Sequence, residues 1–133
     1  MPQSAKMEGF PKMLTNTDVD VRLSFPVKAL KFFEFPEGKD KTEFEVTDSS
    51  EKSWTFGLSI RNKARHSHPK PVLSSGWRAY VQAKGLKIKD RVILEVHKDK
   101  LFSKTRFKVR AERKVSHIKL LGKEIEVERW VDI

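Results

Sequence analysis

The chain has 133 residues, 38% of them hydrophobic, and 28 Lys and Arg against 18 Asp and Glu give a formal net charge of +10. That length suits one domain with one core, and the absence of cysteine excludes a disulfide framework or a thiolate metal site. No apolar run approaches membrane-spanning length and no signal-peptide pattern opens the chain, so a soluble intracellular protein is expected.

In chain order, residues 1–8 read as a flexible N-terminus and Phe10–Leu14 starts the first strand. Asn16–Asp20 has turn composition, because Asn and Asp side chains bond their own nearby backbone; Asp18 is the expected turn-former. Arg22–Phe25 alternates as a short strand, and Pro26 permits a helix over Val27–Phe33, closed by Pro36 and Gly38. Thr42–Thr47 and Ser53–Ser59 alternate with period two about a hairpin turn at Asp48–Lys52. Ser74 and Ser75 offer caps to a helix over Trp77–Lys84 whose apolar side is Trp77, Tyr80 and Val81, and Gly85 supplies the left-handed stop. A tight turn at Lys89-Asp90 leads into a strand at Arg91–His97.

The clearest alternation comes last. Positions 104, 106, 108 and 110 are all basic while Phe107 and Val109 lie opposite, which predicts a half-buried strand with a cationic outer face. The first reading of that strand is an edge whose cations discourage aggregation; phosphate contact and nuclear import are the others. Ser116–Leu120 and Glu124–Val131 form a further hairpin around Gly122, or an extension beyond the domain. Short strands, frequent turns and two short helices predict a compact, mainly β, barrel-like fold.

Charge is unevenly spread. Arg61–Lys70 carries Arg61, Lys63, Arg65 and Lys70 with His66 and His68 and no acid, whereas Glu34–Glu51 is acidic overall. A cationic excess favours polyanions, nucleic acid before membrane. Arg and Lys gain by releasing counterions from DNA, Arg can take guanine O6 and N7 together, and Asn62 can read adenine from the major groove. An ordinary solvated loop accounts for the same composition.

Three blocks bear on that choice. Leu14, Thr15, Thr17 and Asp18 precede Arg22, Leu23 and Pro26; Trp54 and Phe56 form a Trp-x-Phe in paired strands; and Gly76–Leu94 reads GWRAYVQAKGLKIKDRVIL. In this order the blocks resemble the plant-specific B3-type DNA-binding domain, with Lys89 standing where that family usually has glycine. The resemblance implies a single-domain, seven-stranded open β-barrel (a pseudobarrel) with two short flanking helices over residues 9–113, with 114–133 a C-terminal β extension of the same domain. It further implies two arms that grip the major groove of double-stranded DNA. The first holds Thr15, Asn16, Thr17 and Arg22, with Lys28 touching phosphate from the helix. The second holds Arg61, Asn62, Lys63, Arg65, His66, Ser67, His68 and Lys70. Asp18 and Asp20 are expected to repel phosphate from the first arm, while Trp54 and Trp77 are expected in the barrel core.

The implied function is sequence-specific binding of double-stranded DNA in transcriptional regulation, hence a nuclear location. Partial protonation of His66 and His68 is expected to raise affinity as pH falls toward about 6.5. No cofactor, metal, membrane or small-molecule substrate is expected: His66 and His68 fall short of the four ligands a zinc site needs. No Gly-rich phosphate cradle, G-x-S-x-G elbow, H-E-x-x-H or cysteine nucleophile points to an enzyme. Protein partners belong to the alternative, a protein-interaction module of the same fold with only weak, non-specific DNA binding. A basic RNA-binding barrel is the third reading.

Overall fold

Period-two alternation makes strand the commonest element of this chain, and the computed structural model describes residues 5–61, 68–99 and 104–133. The elements are β1 (Ala5–Met13), α1 (Asn16–Asp20), β2 (Leu23–Ser24), a 3-10 helix (Val27–Phe32), β3 (Lys41–Thr47), β4 (Ser53–Ser59), β5 (Val72–Leu73), α2 (Trp77–Lys84), β6 (Arg91–Asp99), β7 (Lys104–Leu120) and β8 (Lys123–Asp132). Seven strands run β1-β6-β7-β3-β4-β5-β2 across one curled sheet, and β8 pairs β7 off that path. All pairings are antiparallel except one parallel step, Thr47 to Lys108, where β3 meets β7 and the sheet curls on itself. The result is the expected mainly β, seven-stranded open pseudobarrel.

Inward residues of the alternating strands fill the barrel. Phe44, Val46, Phe56, Leu58, Val92, Leu94, Val96 and Val109 form one core with Trp77, Tyr80 and Val81 of α2. Aromatic rings run through it as a chain. Phe107 stacks on Phe33 at 4.7 Å, Phe33 meets Phe44 edge-on at 4.7 Å, and Phe44 meets Phe56 at 6.0 Å. Phe56 then reaches Trp77 at 6.1 Å and Tyr80 at 5.8 Å. Edge-on pairs bring positive ring edges to negative faces, adding roughly 0.5–1.5 kcal/mol each beyond area burial. Trp54 is half-buried against Tyr80, and Trp77 is fully buried, so both tryptophans are spent on packing.

Five local expectations need correction. β1 begins at Ala5, so residues 5–8 are strand rather than loose terminus: Ala5 to Met13 pair in unbroken register with Asp99 to Arg91. Asn16–Asp20 is a single helical turn, not a simple turn. Thr15 and Asp18 form a capping box, with Asp18 N donating to Thr15 Oγ1 at 3.4 Å and Thr15 N to Asp18 Oδ2 at 2.8 Å. Neither Ser74 nor Ser75 caps α2; Gly76 occupies the cap position at φ +78° without a side-chain bond. The two-residue β5 was invisible in the sequence, since two residues carry no periodicity. Lys104–Arg110 lies inside the sheet between β6 and β3, not at an edge. Its alternation is nonetheless as read, with residues 104, 106 and 108 exposed and Val109 buried.

Two left-handed positions shape the junctions. A Cβ on Gly76 would sit 2.0 Å from the Thr55 carbonyl oxygen, so glycine lets the entry to α2 lie directly on β4. Lys89 adopts φ +78°, a conformation in which a side chain costs about 1–2 kcal/mol, and its N–H donates to Leu14 O at 2.9 Å. The turn is therefore bound to the end of β1, which forces the backbone into the region that glycine favours. Gly76→Ala should cost about 3 kcal/mol or more in urea unfolding, and Lys89→Gly should stabilise by about 1 kcal/mol. Equal stability of all three proteins would contradict this account.

Candidate nucleic-acid interface

The first arm is built around a buried carboxylate. Asp18 is 2% exposed, and its two oxygens accept from Thr15 N at 2.8 Å and Ser24 N at 3.1 Å. Lys12 Nζ lies 3.2 Å from Oδ2. Burial by itself would raise the pKa of Asp18; the backbone N–H groups of Thr15 and Ser24, with Lys12, outweigh it and hold the group below its ordinary 3.8. Its carbonyl oxygen accepts from Trp77 Nε1 at 2.6 Å, which joins the arm to α2. Asp18, expected to repel phosphate, thus has its charge buried and paired with Lys12. Asp20 remains exposed.

Around that anchor the arm displays short polar side chains. Thr15, Asn16, Thr17 and Arg22 are exposed, and Thr17 O accepts from Val21 N at 2.9 Å and Arg22 N at 3.1 Å, turning the chain back toward the barrel. The second arm leaves the sheet after β4. Arg61 N donates to Pro69 O at 2.6 Å, so the two ends of the loop are clasped at its neck. Arg61, His68 and Lys70 are exposed, and Lys70 sits at φ +38°. Asn62, Lys63, Arg65, His66 and Ser67 lie outside the described residues.

The arms flank one open groove of about 610 Å³. Thr15, Thr17 and Arg22 of the first arm line it together with Arg61 and Lys70 of the second, and with Phe25 and Pro71. Phe25 and Pro71 are themselves linked, as Phe25 N donates to Pro71 O at 2.9 Å. Asn16, Lys28 and His68 are not among the lining residues; Lys28 is exposed on the 3-10 helix. Sequence reasoning missed Lys12, which lines the groove and pairs with Asp18. The signal was available: Lys12 immediately precedes the Met-Leu-Thr entry to the arm, and strand alternation sets it on the face opposite Met13. Four cations, Lys12, Arg22, Arg61 and Lys70, thus share one concavity with a single, buried acid.

Elsewhere buried aspartates perform the same local task. Asp48 Oδ1 accepts from Ser50 N, Ser50 Oγ and Lys52 N, and Oδ2 accepts from Trp54 Nε1 at 2.9 Å, with Lys84 Nζ 3.4 Å away. Asp90 takes Lys87 N at 2.8 Å and a two-pronged Arg113 at 2.9 and 2.8 Å. Burial opposes both charges; hydrogen bonds from Trp54 and Ser50 to Asp48, and from Arg113 and Lys87 to Asp90, hold both carboxyls below their ordinary range.

A curled seven-stranded sheet carries two arms beside a cationic groove. The profile of the B3 DNA binding domain matches residues 10–114, and the chain belongs to that family. Among solved structures it is similar to an Arabidopsis FUS3–DNA complex, at 26% identity and a TM-score of 0.62 over 78% of this chain and 95% of that one. A hypothetical Arabidopsis thaliana protein shares the fold, at 21% identity and a TM-score of 0.54 over 84% of this chain and 94% of that one. No curated protein matches the chain significantly.

Asp18, Asp48 and Asp90 all have folded pKa values depressed below 3.8, so their stabilisation is complete above that pH and is lost as pH falls through the folded values. Asp18→Asn should cost roughly 2–4 kcal/mol at pH 7, because a buried charge-assisted network loses its charge and one of its two acceptor oxygens. The deficit relative to the parent should shrink as pH falls below 3.8. Urea titrations at pH 7 and pH 3 check both points, and a deficit that grows with acidity would reject the assignment.

Proposed function

We propose that this chain reads double-stranded DNA in a sequence-specific manner through two arms in the major groove, and that it regulates transcription in the nucleus. The observation that carries this reading is the groove lined by Arg22 of the first arm together with Arg61 and Lys70 of the second. Guanidinium groups from both arms suit a duplex, whose major groove is about 12 Å wide and presents paired acceptors on guanine. Thr15, Asn16 and Thr17 add short hydrogen-bonding side chains to the first arm, and Asn62, Lys63, Arg65, His66, Ser67 and His68 are the further candidates of the second. Lys12 and Lys28 are assigned to phosphate, which positions the protein without selecting sequence. The DNA in the similar FUS3 complex supports the same partner class.

A second reading, a protein-interaction module with weak, non-specific DNA binding, is favoured by Leu120 and Leu121, which are 52% and 96% exposed. Selection from a randomised duplex pool at near-physiological salt separates the two. An enriched motif is expected; retention without enrichment would move the second reading forward. Affinity for the selected duplex should fall about 10³-fold or more between about 50 and 200 mM salt. Arg22→Ala and Arg61→Ala should each cost about 1–3 kcal/mol and relax preference at particular base pairs, whereas Lys28→Ala should weaken all sequences alike. Unchanged binding in both arginine variants would remove the groove from the reading set.

A further inference from the structure

The hairpin of β7 and β8 runs past the DNA-binding unit. β7 pairs with β6 only as far as Glu112, and from Arg113 to Leu120 it pairs with β8 alone. The matched family region ends at residue 114. Four Lys and Arg balance four Asp and Glu across residues 114–133, so the whole +10 sits on residues 1–113. A neutral ribbon on a strongly basic chain has no electrostatic reason to seek DNA, and it can approach a second copy without the repulsion the rest would meet.

The ribbon is also incomplete as a sheet. A two-stranded hairpin is marginal in water, and among the described residues β8 has no strand partner besides β7. Ten residues of β8 therefore leave one row of backbone donors and acceptors open. β1, the edge strand at one end of the sheet, is protected differently. Pro11 removes one N–H donor from it, and the 3-10 helix packs on it through Phe10–Phe32 at 6.2 Å and Lys31–Glu8 at 3.4 Å. β8 has no proline, and no helix packs on it among the described residues.

We propose that β8 pairs antiparallel with β8 of a second copy of this chain, joining two ribbons into a four-stranded sheet about a twofold axis. The sequence of β8, KEIEVERWVD, is self-complementary in one register. With Lys123 opposite the partner's Asp132, all ten residues pair, Glu126 meets the partner's Arg129, and Ile125 meets the partner's Trp130. A slip of one residue sets Glu126 against Glu128 or Glu124 against Asp132.

The bulge makes this register geometrically consistent. His117 pairs Glu126 and Val115 pairs Arg129, so three steps on β8 span two on β7. The extra residue reverses the alternation at the centre of the strand, which brings Glu126 and Arg129 to one face and Ile125 and Trp130 to the other. Twofold antiparallel pairing needs both members of every pair on the same face, and a regular strand could not satisfy that in this register. Ile125 is 38% exposed, and Trp130 is already held flat by Arg91, whose guanidinium lies 4.0 Å from the ring centroid. One strand edge is a small interface, so the dimer should form in the micromolar range or weaker.

Charge reversal tests the register on the full chain. Sedimentation of the parent at about 150 mM salt, a strength that screens the basic domains, should show dimer rising with concentration. Glu126→Arg alone and Arg129→Glu alone should each weaken association about tenfold or more, because each change acts twice in a twofold dimer. The double variant E126R/R129E should restore it. A parent that stays monomeric into the hundreds of micromolar, or a dimer indifferent to either single reversal, would overturn the proposal. Circular dichroism of each variant identifies any loss caused by misfolding, in which case Lys123→Asp with Asp132→Lys repeats the swap at the strand ends. Binding of DNA plays no part in this test.

Discussion

The arrangement of the candidate interface depends on one buried carboxylate. Asp18 accepts two backbone N–H groups through its carboxylate and the Trp77 indole through its carbonyl, at the junction of the first arm, β2 and α2. A short polar segment on its own has no reason to hold one shape, since five residues are far too few for an isolated helix. The buried anion supplies the missing order: its lone pairs are filled from both sides of the arm, and leaving any of those donors unmet would cost more than the net worth of the bond. Trp77 is part of the aromatic core, so the arm is tied to that core.

Asp48 and Asp90 repeat this device at the other turns. Each is buried, each accepts from backbone N–H groups of its own turn, and each also takes a side chain from a distant element: Lys84 of α2 near Asp48, Arg113 of β7 at Asp90. The turn at Asp90 is in turn bonded to Leu14 through both N–H and carbonyl, immediately before the first arm. The barrel thus presents fixed loop ends, and exposed cations can be placed on them without contributing to stability. On the outer face of the sheet the cations are instead engaged: Arg110 lies 2.8 Å from Glu95 and 3.0 Å from Glu112, and Arg91 also reaches Glu112. Basic composition alone does not distinguish these two uses.

Much was legible in the sequence because it depends on local pattern. Period-two alternation located β3, β4, β6 and the first part of β7, and the 3.6-residue spacing of Trp77, Tyr80 and Val81 located α2 to the residue. Turn chemistry identified Asp18, Asp48 and Asp90. Ordered blocks around Arg22, Trp54 and Trp77 identified the family. The errors also have local causes. Capping by Ser74 or Ser75 is good chemistry in isolation, but the close approach of Gly76 to Thr55 sets a different entry. The cationic alternation of Lys104–Arg110 describes an exposed face equally well at an edge or in mid-sheet.

What the sequence determined by itself was therefore the class of fold, the kind of partner and the residues with chemistry suited to it, because composition, periodicity and turn signals are carried by neighbours along the chain. Only the tertiary structure decided that Arg22 and Arg61, thirty-nine positions apart, border one groove, that Lys12 joins them, and that the charge of Asp18 is buried. Each of those facts depends on contacts between segments distant in sequence: β2 against β5, Trp77 against Asp18, Phe25 against Pro71. Local pattern has no access to such contacts, since it sets which side a residue faces on its own element and leaves open which element lies opposite.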